Sequence, residues 1–468
     1  MTDKSKQPSD EALRQEQDTM GQVSVPGWAY YGAQTQRAVE NFQISPYRLP
    51  RTMIKALGLI KKHAAAANSV LGLVPDDLAQ AVQEAADQVI AGSLDEHFPL
   101  DIFQTGSGTS SNMNTNEVIA NLANRSLGQA LGSKTPVHPN DIVNRGQSSN
   151  DVFPSAVHIA DRLAAEDLLS ALKTLYLSLD RKADELAKVV KLGRTHLQDA
   201  VPMTLGQEFA AFAVQIDKNI GRIQNCLYNL EDLPLGGTAI GTGLNCHPDF
   251  PRLAVEGIGR ETGIPFRPAA NKFEGIAARD AQVELMGALN TLATSLMKIA
   301  NDLRLLASGP RGALGEIVLP SLQPGSSIMP GKVNPVIPEM VIQAAAFVCG
   351  KAVSVTIAGQ NSPLQLNMMN PLIAHETLTS MEVLTNTCTT LAEKAIDGLE
   401  ADAQRCEDWI SWSLALVTPL ATRIGYDKAS ALAYRAYREH RKIRDILEEE
   451  AILAPEELDE ILDPRSMI

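Results

Sequence analysis

One segment concentrates reactive side chains among residues that forbid a helix. Pro324-Gly325-Ser326-Ser327-Ile328-Met329-Pro330-Gly331-Lys332-Val333-Asn334-Pro335 holds three prolines and two glycines. Proline removes a backbone donor and clashes with a helical turn, so the chain must loop here. Two hydroxyls, one ammonium and one amide lie within it. A plain inter-helix loop is the structural alternative, but such a loop rarely needs Lys and Asn between prolines. The functional reading is a lid whose Ser326 attacks a proton or a carbonyl, with Lys332 and Asn334 holding the developing oxyanion.

Three further clusters place polar side chains where helices begin or end. Thr105-Gly106-Ser107-Gly108-Thr109-Ser110-Ser111-Asn112 precedes Met113-Asn114-Thr115-Asn116-Glu117 and an apolar helical run. Small hydroxyl residues and glycines ahead of a helix offer N–H and O–H donors to an anion. The pattern fits neither the P-loop nor the dinucleotide fingerprint, and an ordinary N-cap is the alternative. Gln147-Ser148-Ser149-Asn150-Asp151, with Pro154 in the first turn, reads as the start of a long helix. Such an N-terminus with spare hydroxyls suits a carboxylate, though capping alone also accounts for it. Gly193-Arg194-Thr195-His196-Leu197-Gln198-Asp199-Ala200 falls between two long helical stretches. His196 is the acid–base candidate because it sits at a bundle end and not on an apolar face. A lone loop histidine is nevertheless structural more often than not. Glu339, just past Pro335, becomes its carboxylate orienter if helix ends converge. None of these clusters has metal-ligand spacing: the eight histidines form no H-x-x-x-H pair and no acidic triplet resembles a calcium or magnesium cage. No G-x-S-x-G elbow appears either. The expected chemistry uses hydroxyls, Lys, Asn and His, with no metal and no cofactor.

The elements that must position these groups are helices. Only 4% of the residues are aromatic, while Ala and Leu abound, which favours helix over sheet. Leu285, Leu289, Leu292, Leu296, Ile299, Leu303 and Leu306 step by four and three, a heptad seam. No proline falls between Pro268 and Pro310, so a helix of roughly thirty residues or more, about 45 Å long, is expected there. Phe209, Phe212, Ile216, Ile220, Ile223, Leu227 and Leu230 form a second seam, and Leu168, Leu172, Leu175, Leu179, Leu186 and Val190 a third. Further helices read over 338–358 and 371–396, giving five long helices without strand signals between them: a central bundle in an all-α, mainly helical protein. Seams this long favour an oligomeric bundle. Shorter helices are expected at 53–71 and 76–91. The boundaries that follow are 1–146 for a mixed, mainly helical first domain, 147–404 for the bundle and 405–468 for a small helical domain. The basic stretch 428–444 and acidic stretch 448–463 read as solvated surface.

Length and charge bound the rest. The 468 residues allow two or three domains, and a hydrophobic fraction of 44% excludes global disorder. No apolar run approaches the roughly 18–20 residues that span a bilayer; the longest candidate is 344–350. The net charge of −14 argues against a nucleic-acid partner. It also means that an anionic substrate needs local design. Cys226, Cys246, Cys349, Cys388 and Cys406 are scattered, odd in number and without a C-x-x-C pair, which fits a reducing cytoplasm. Residues 1–18 lack the apolar core of a secretory signal and read as a frayed tail.

The segment Gly325 to Pro335 resembles the signature of the fumarase/aspartase superfamily, and the resemblance extends over nearly the whole chain from about Asp18. It implies homotetramers of three-domain subunits, a twenty-helix core and active sites built from three subunits. Thr105 to Thr109, Gln147 to Asp151 and Leu235-Gly236-Gly237-Thr238-Ala239-Ile240-Gly241-Thr242-Gly243 are similar to the class II fumarase branch, whereas the stretches His196 to Glu208 and Leu364 to Pro371 read much like aspartase. The substrate-contacting motifs weigh more, so reversible hydration of fumarate to L-malate is the expectation, with aspartate ammonia-lyase as the alternative. Carried onto this chain, the resemblance makes Ser326 the base at C3 of malate. Lys332 and Asn334 stabilise an aci-carboxylate carbanion, helped by Ser107, Thr109, Ser148, Ser149 and Asn150. Thr195 and His196 sit by the leaving hydroxyl, with Glu339 orienting His196. A second dicarboxylate site matches His138-Pro139-Asn140-Asp141, where a structural loop is an equal reading. A catalytically silent relative is the rival from another class, and the intact motif residues speak against it.

Overall fold

The structure is a computed structural model that describes residues 13–468. The chain divides into two compact units, each assembled from separate stretches. One comprises the chain up to Leu168, Arg222–Asn290 and Val348–Val383; the other comprises Leu169–Gly221, Thr291–Phe347 and Leu384–Ile468.

The first unit opens on an antiparallel hairpin, β1 (Leu13–Asp18) and β2 (Gly21–Pro26). This overturns the reading of 13–18 as frayed tail; residues 1–12 of that reading lie outside the described residues. The cause is Arg14, whose guanidinium reaches the Glu16 carboxylate and the carbonyls of Pro26, Ala29 and Tyr31. Four helices follow: α1 (Ala33–Asn41), α2 (Arg51–Val70), α3 (Asp76–Ala91) and α4 (Thr109–Ser126). Helices α2 and α3 match the expected 53–71 and 76–91 to within two residues. Val82, Ala86 and Val89 of α3 share a buried core with Val118, Ile119 and Ala123 of α4.

The remaining elements, in chain order, begin with α5 (Ser149–Glu185), β3 (Val190–Thr195), β4 (Gln198–Thr204) and α6 (Leu205–Leu230). Next come β5 (Asp232–Leu233), α7 (Phe250–Thr262), β6 (Arg267–Pro268), α8 (Lys272–Ala277) and α9 (Asp280–Leu306). Then follow β7 (Ile317–Val318), α10 (Val336–Gln360), α11 (Asn370–Leu391) and β8 (Glu400–Ala401). The chain closes with α12 (Ala403–Trp412), α13 (Val417–Ile424), α14 (Tyr426–Glu439), α15 (Ile443–Glu450) and α16 (Pro455–Ile461). The protein is mainly helical, with only small two-stranded sheets among the described residues.

The long helices α5, α6 and α9 carry the three seams, and α10 and α11 fall where the two further helices are expected. In α9, Leu285, Leu289, Leu292, Leu296, Ile299 and Leu303 are all fully buried. In α6, Phe209, Phe212, Ile216, Ile223 and Leu230 are buried and Ile220 and Leu227 partly so. Polar bonds cross between helices within each unit. Thr377 of α11 donates to Asp161 of α5 at 2.7 Å, and Asn229 of α6 to Glu284 of α9 at 2.7 Å. In the other unit Asn219 of α6 reaches Ser295 of α9 at 3.0 Å.

Several expectations need correction. Helix α9 has 27 residues, about 40 Å at 1.5 Å per residue; the expected longer helix is cut because Ala278 takes an extended ψ of 154° after the short α8. The third seam ends early: α5 stops at Glu185, leaving Leu186 beyond it and Val190 in β3. Pro154 lies in the second turn of α5, not the first. The linker between α5 and α6 is a β-hairpin with a bulge between Leu192 and Arg194; Lys191, Gly193 and Arg194 mask its alternation. The apolar run 344–350 understates α10, which is long and apolar enough to cross a membrane by length and composition, and most of which is not buried. Glu339, Gln343 and Lys351 interrupt its runs without making it polar on average. The C-terminal charges do keep to the surface, and there they are interlocked. Arg435 reaches Glu439, Glu449 and Glu450, Arg441 reaches Glu449, and Arg444 reaches Asp459.

Truncating a seam residue tests this core. Leu289→Ala removes a fully buried side chain from α9 and is expected to cost about 2–5 kcal/mol, read as a lowered urea midpoint.

Candidate active site

In the first unit the hydroxyls singled out from sequence come together. Thr109 Oγ1 lies 2.7 Å from Ser149 Oγ and 2.9 Å from Ser107 Oγ. The start of α4 and the start of α5 therefore share one chain of hydroxyls. Gly106 makes this turn possible: a Cβ there would stand 1.9 Å from the Met368 carbonyl oxygen. The Gly106 carbonyl in turn accepts the Asn370 N–H at 3.1 Å. Met368 and Asn370 are thus part of the wall behind the hydroxyls, which their sequence did not disclose.

The first turn of α5 is capped reciprocally. Ser148 Oγ accepts the Asn150 N–H at 3.2 Å, and Asp151 Oδ1 accepts the Ser148 N–H at 2.9 Å. The other oxygen of Asp151 takes the N–H groups of Gly236 and Thr238 at 2.8 and 2.9 Å. Asn150 Nδ2 donates to the Ala239 carbonyl at 2.9 Å. Asp151 and Asn150 thus clasp the 236–239 turn to the helix start. Burial raises the Asp151 carboxyl to about 6, against the opposing pull of its three N–H donors.

Beneath lies Lys61 of α2, fully buried. Its Nζ donates to Asn144 Oδ1 and Gln147 Oε1, both at 2.9 Å. Asn112 and Asn116 of α4 donate to the same Asn144 oxygen at 3.2 Å. Burial pulls the ammonium down to about 7, with Asp151 opposing. Lys61, Asp151 and the asparagines were not recognised from sequence. The signal was present in Asn112-Met113-Asn114-Thr115-Asn116-Glu117, a polar run that is buried along a helix, because amides enter a core only with partners.

His138 is the cap of a single turn at Pro139–Val143; its Nδ1 accepts the N–H groups of Asn140 at 3.2 Å and Asp141 at 3.3 Å. Asn140 and Asp141 are exposed.

In the second unit the signature loop closes on itself. The Gly325 N–H donates to the Lys332 carbonyl at 2.8 Å, and Asn334 Nδ2 donates to the Gly325 carbonyl at 2.7 Å. A Cβ on Gly325 would lie 2.4 Å from the Lys332 oxygen, so this closure requires glycine. Inside it, Ser326 Oγ accepts the N–H groups of Ile328 at 3.2 Å and Met329 at 3.0 Å. Two donors on one hydroxyl oxygen favour its alkoxide, the form in which serine can act as a base. Lys332 is exposed. Asn334 directly precedes Pro335 and the N-terminus of α10, whose dipole favours negative charge nearby.

Thr195 and His196 are exposed at the β3–β4 tip. Glu339 lies in the first turn of α10. Among the described residues no hydrogen bond or ion pair joins Glu339 to His196, so this chain does not bring that expected pair together.

A helical fold with a hydroxyl-rich cradle and a self-closed serine–lysine–asparagine loop defines a class of protein. The family model described as "Lyase" matches residues 21–350, and one described as "Fumarase C C-terminus" matches 416–468. The chain belongs to this lyase family. Its relatives there include the class II fumarate hydratase of Xylella fastidiosa (strain Temecula1 / ATCC 700964), 52% identical over 455 residues, covering 97% of this chain and 95% of that protein. The mitochondrial fumarate hydratase of Danio rerio is 47% identical, over 98% of this chain and 91% of that one. Among solved structures, the class II fumarase of Schistosoma mansoni superposes with a TM-score of 0.93 at 38% identity, covering 97% and 99% of the two chains.

Two substitutions probe the cradle. Gly106→Ala is expected to drive the 105–109 turn off Met368 and raise KM at least tenfold, measured by steady-state kinetics. Lys61→Met tests the buried ammonium. Its folded value of about 7 lies below the ordinary lysine value of about 10.4. Lys61 therefore contributes its full stability above pH 10, and this is lost as pH falls towards 7. The loss of stability on Lys61→Met is expected to be larger at pH 9.5 than at pH 6.5, read from urea midpoints.

Proposed function

We propose that the protein interconverts fumarate and L-malate by acid/base catalysis through a carbanion. The observation that carries this reading is Ser326 Oγ held by two backbone N–H groups inside the loop that Asn334 closes. In the malate direction the Ser326 alkoxide takes the C3 proton. The electron pair moves into the adjacent carboxylate, giving an aci-carboxylate. Lys332 and Asn334 stabilise its charge. The C2 hydroxyl then leaves as water after protonation on the side of Thr195 and His196, the imidazole being oriented by a Glu339 that another subunit of the tetramer supplies. As the pair drops back, the C2–C3 double bond of fumarate forms. Ser107, Thr109, Ser148, Ser149 and Asn150 bind the substrate carboxylates through hydroxyls, an amide and the α5 N-terminus. The reaction needs no metal and no cofactor. His138, Asn140 and Asp141 offer a second dicarboxylate position.

The reading includes a homotetramer with each active site shared by three subunits, built from segments 1–146, 147–404 and 405–468. Support comes from the long helices: Leu177, Val214, Phe347, Val353 and Ile357 are exposed on α5, α6 and α10, and apolar surface of this kind is ordinarily covered. It places the enzyme in the cytoplasm, in keeping with its scattered cysteines, with neither nucleic acid nor membrane as partner.

Deamination of L-aspartate is the second reading. It is favoured by one observation: the aspartase-like segment 364–370 abuts the hydroxyl turn at Gly106. Following fumarate formation at 240 nm from L-malate and from L-aspartate separates the two; product from aspartate alone overturns the hydration reading. Ser326→Ala is expected to lower kcat about a hundredfold or more while KM for malate moves less than threefold. Near-normal turnover removes Ser326 as the base.

A further inference from the structure

The tip of the β3–β4 hairpin is built against backbone preference. His196 and Leu197 both hold positive φ, 55° and 59°, between Thr195 and Gln198, which pair across the ladder. A two-residue connection with both residues left-handed suits Asn-Gly, not two residues carrying large side chains. Such conformations persist only where their surroundings over-determine them, and they gather at functional sites.

The base of the hairpin supplies that determination. Arg194, two residues before His196, points its Nη2 at Glu316 Oε1 at 2.7 Å, and Lys191 Nζ lies 3.1 Å from Glu316 Oε2. Lys191 also meets Glu208 Oε2 of α6 at 2.6 Å. Glu316 is fully buried and Lys191 is 3% exposed. Neither oxygen of Glu316 has the alignment of a hydrogen bond, so the grip is coulombic, and away from water it is little screened. Glu316 is itself fixed by its backbone: its N–H donates to the Leu306 carbonyl at 2.9 Å, and its carbonyl accepts the Asp402 N–H at 3.0 Å. Arg194 Nη1 further donates to the Leu192 carbonyl at 3.3 Å across the bulge. One buried carboxylate, tied to the end of α9 and to the β8 region, thus anchors both cations of the strand that ends in Thr195 and His196.

We propose that Glu316 is a positioning residue for the reaction: through Arg194 and Lys191 it holds the hairpin tip in the left-handed conformation that presents His196. This rests on the reading of His196 as a group at the active site. Glu316 touches no reacting atom. Removing its charge leaves the partly buried Arg194 without its carboxylate and Lys191 with Glu208 alone, and the tip relaxes towards ordinary backbone angles.

The test uses the full-length protein. The wild type is first assayed with L-malate and L-aspartate, and the variants are compared on whichever substrate turns over. Failure of the hydration reading thus shows in the wild type alone and leaves the positioning role open to the same comparison. Glu316→Gln is expected to lower kcat at least tenfold with less than a threefold change in KM. Adding Leu197→Gly makes the left-handed tip easy to hold, so the double variant is expected to recover about fivefold of the lost kcat. Arg194→Lys keeps the charge but loses the fork; it gives the same pattern more mildly and serves if Glu316→Gln does not fold. Near-normal kcat in both single variants overturns the proposal. So does a loss that Leu197→Gly fails to recover in variants whose melting temperature matches the wild type.

Discussion

The Asp151 carboxylate is the point on which the anion cradle depends. It is buried among three backbone N–H groups, one from the α5 start and two from the 236–238 turn. A carboxylate in such a place costs free energy unless its lone pairs are filled. Filling them fixes two chain segments 85 or more residues apart in sequence. With the first turn of α5 fixed, Ser149 faces Thr109, and the hydroxyl chain through Ser107 follows. Lys61 holds the preceding residues, Asn144 and Gln147, from below. The polar interior of this unit is therefore a scaffold for a handful of buried and half-buried donors.

The same arrangement resolves the conflict between an acidic chain and an anionic substrate. A net charge of −14 gives no long-range attraction for a dicarboxylate. Hydroxyls, amides and helix N-termini bind carboxylates without changing that net charge. Screening confines surface charge to about 8–10 Å in physiological salt, so a cradle of aligned dipoles acts where the field of the distant surface is already weak.

Much of this was legible in sequence, and the reason is periodicity. Leu285 to Leu303 repeat at helical spacing because one face of α9 is buried along its length, and spacing survives into the one-dimensional record. The hydroxyl clusters were legible because glycines and prolines punctuate them. The β3–β4 hairpin was not, since Lys191 and Arg194 point inward to a carboxylate more than a hundred residues away. Inward charges imitate a polar loop. Lys61 was hidden for the same reason: its partners, Asn144 and Gln147, lie 83 and 86 residues on. The end of α5 at Glu185 and the break at Ala278 are tertiary choices that no local residue announces. The pairing of His196 with Glu339 was read from an assumed convergence of helix ends that a single chain does not display.

The bonds that close the signature loop carry one more consequence. Gly325 is joined to Lys332 and to Asn334, so Ser326, Lys332 and Asn334 belong to one ring of backbone. A ring of this kind moves as a rigid body. Whatever swing the loop makes must be taken up at its flanks, before Gly325 and at Pro335. The backbone spacing among Ser326, Lys332 and Asn334, the proposed base and oxyanion donors, then stays constant through that swing.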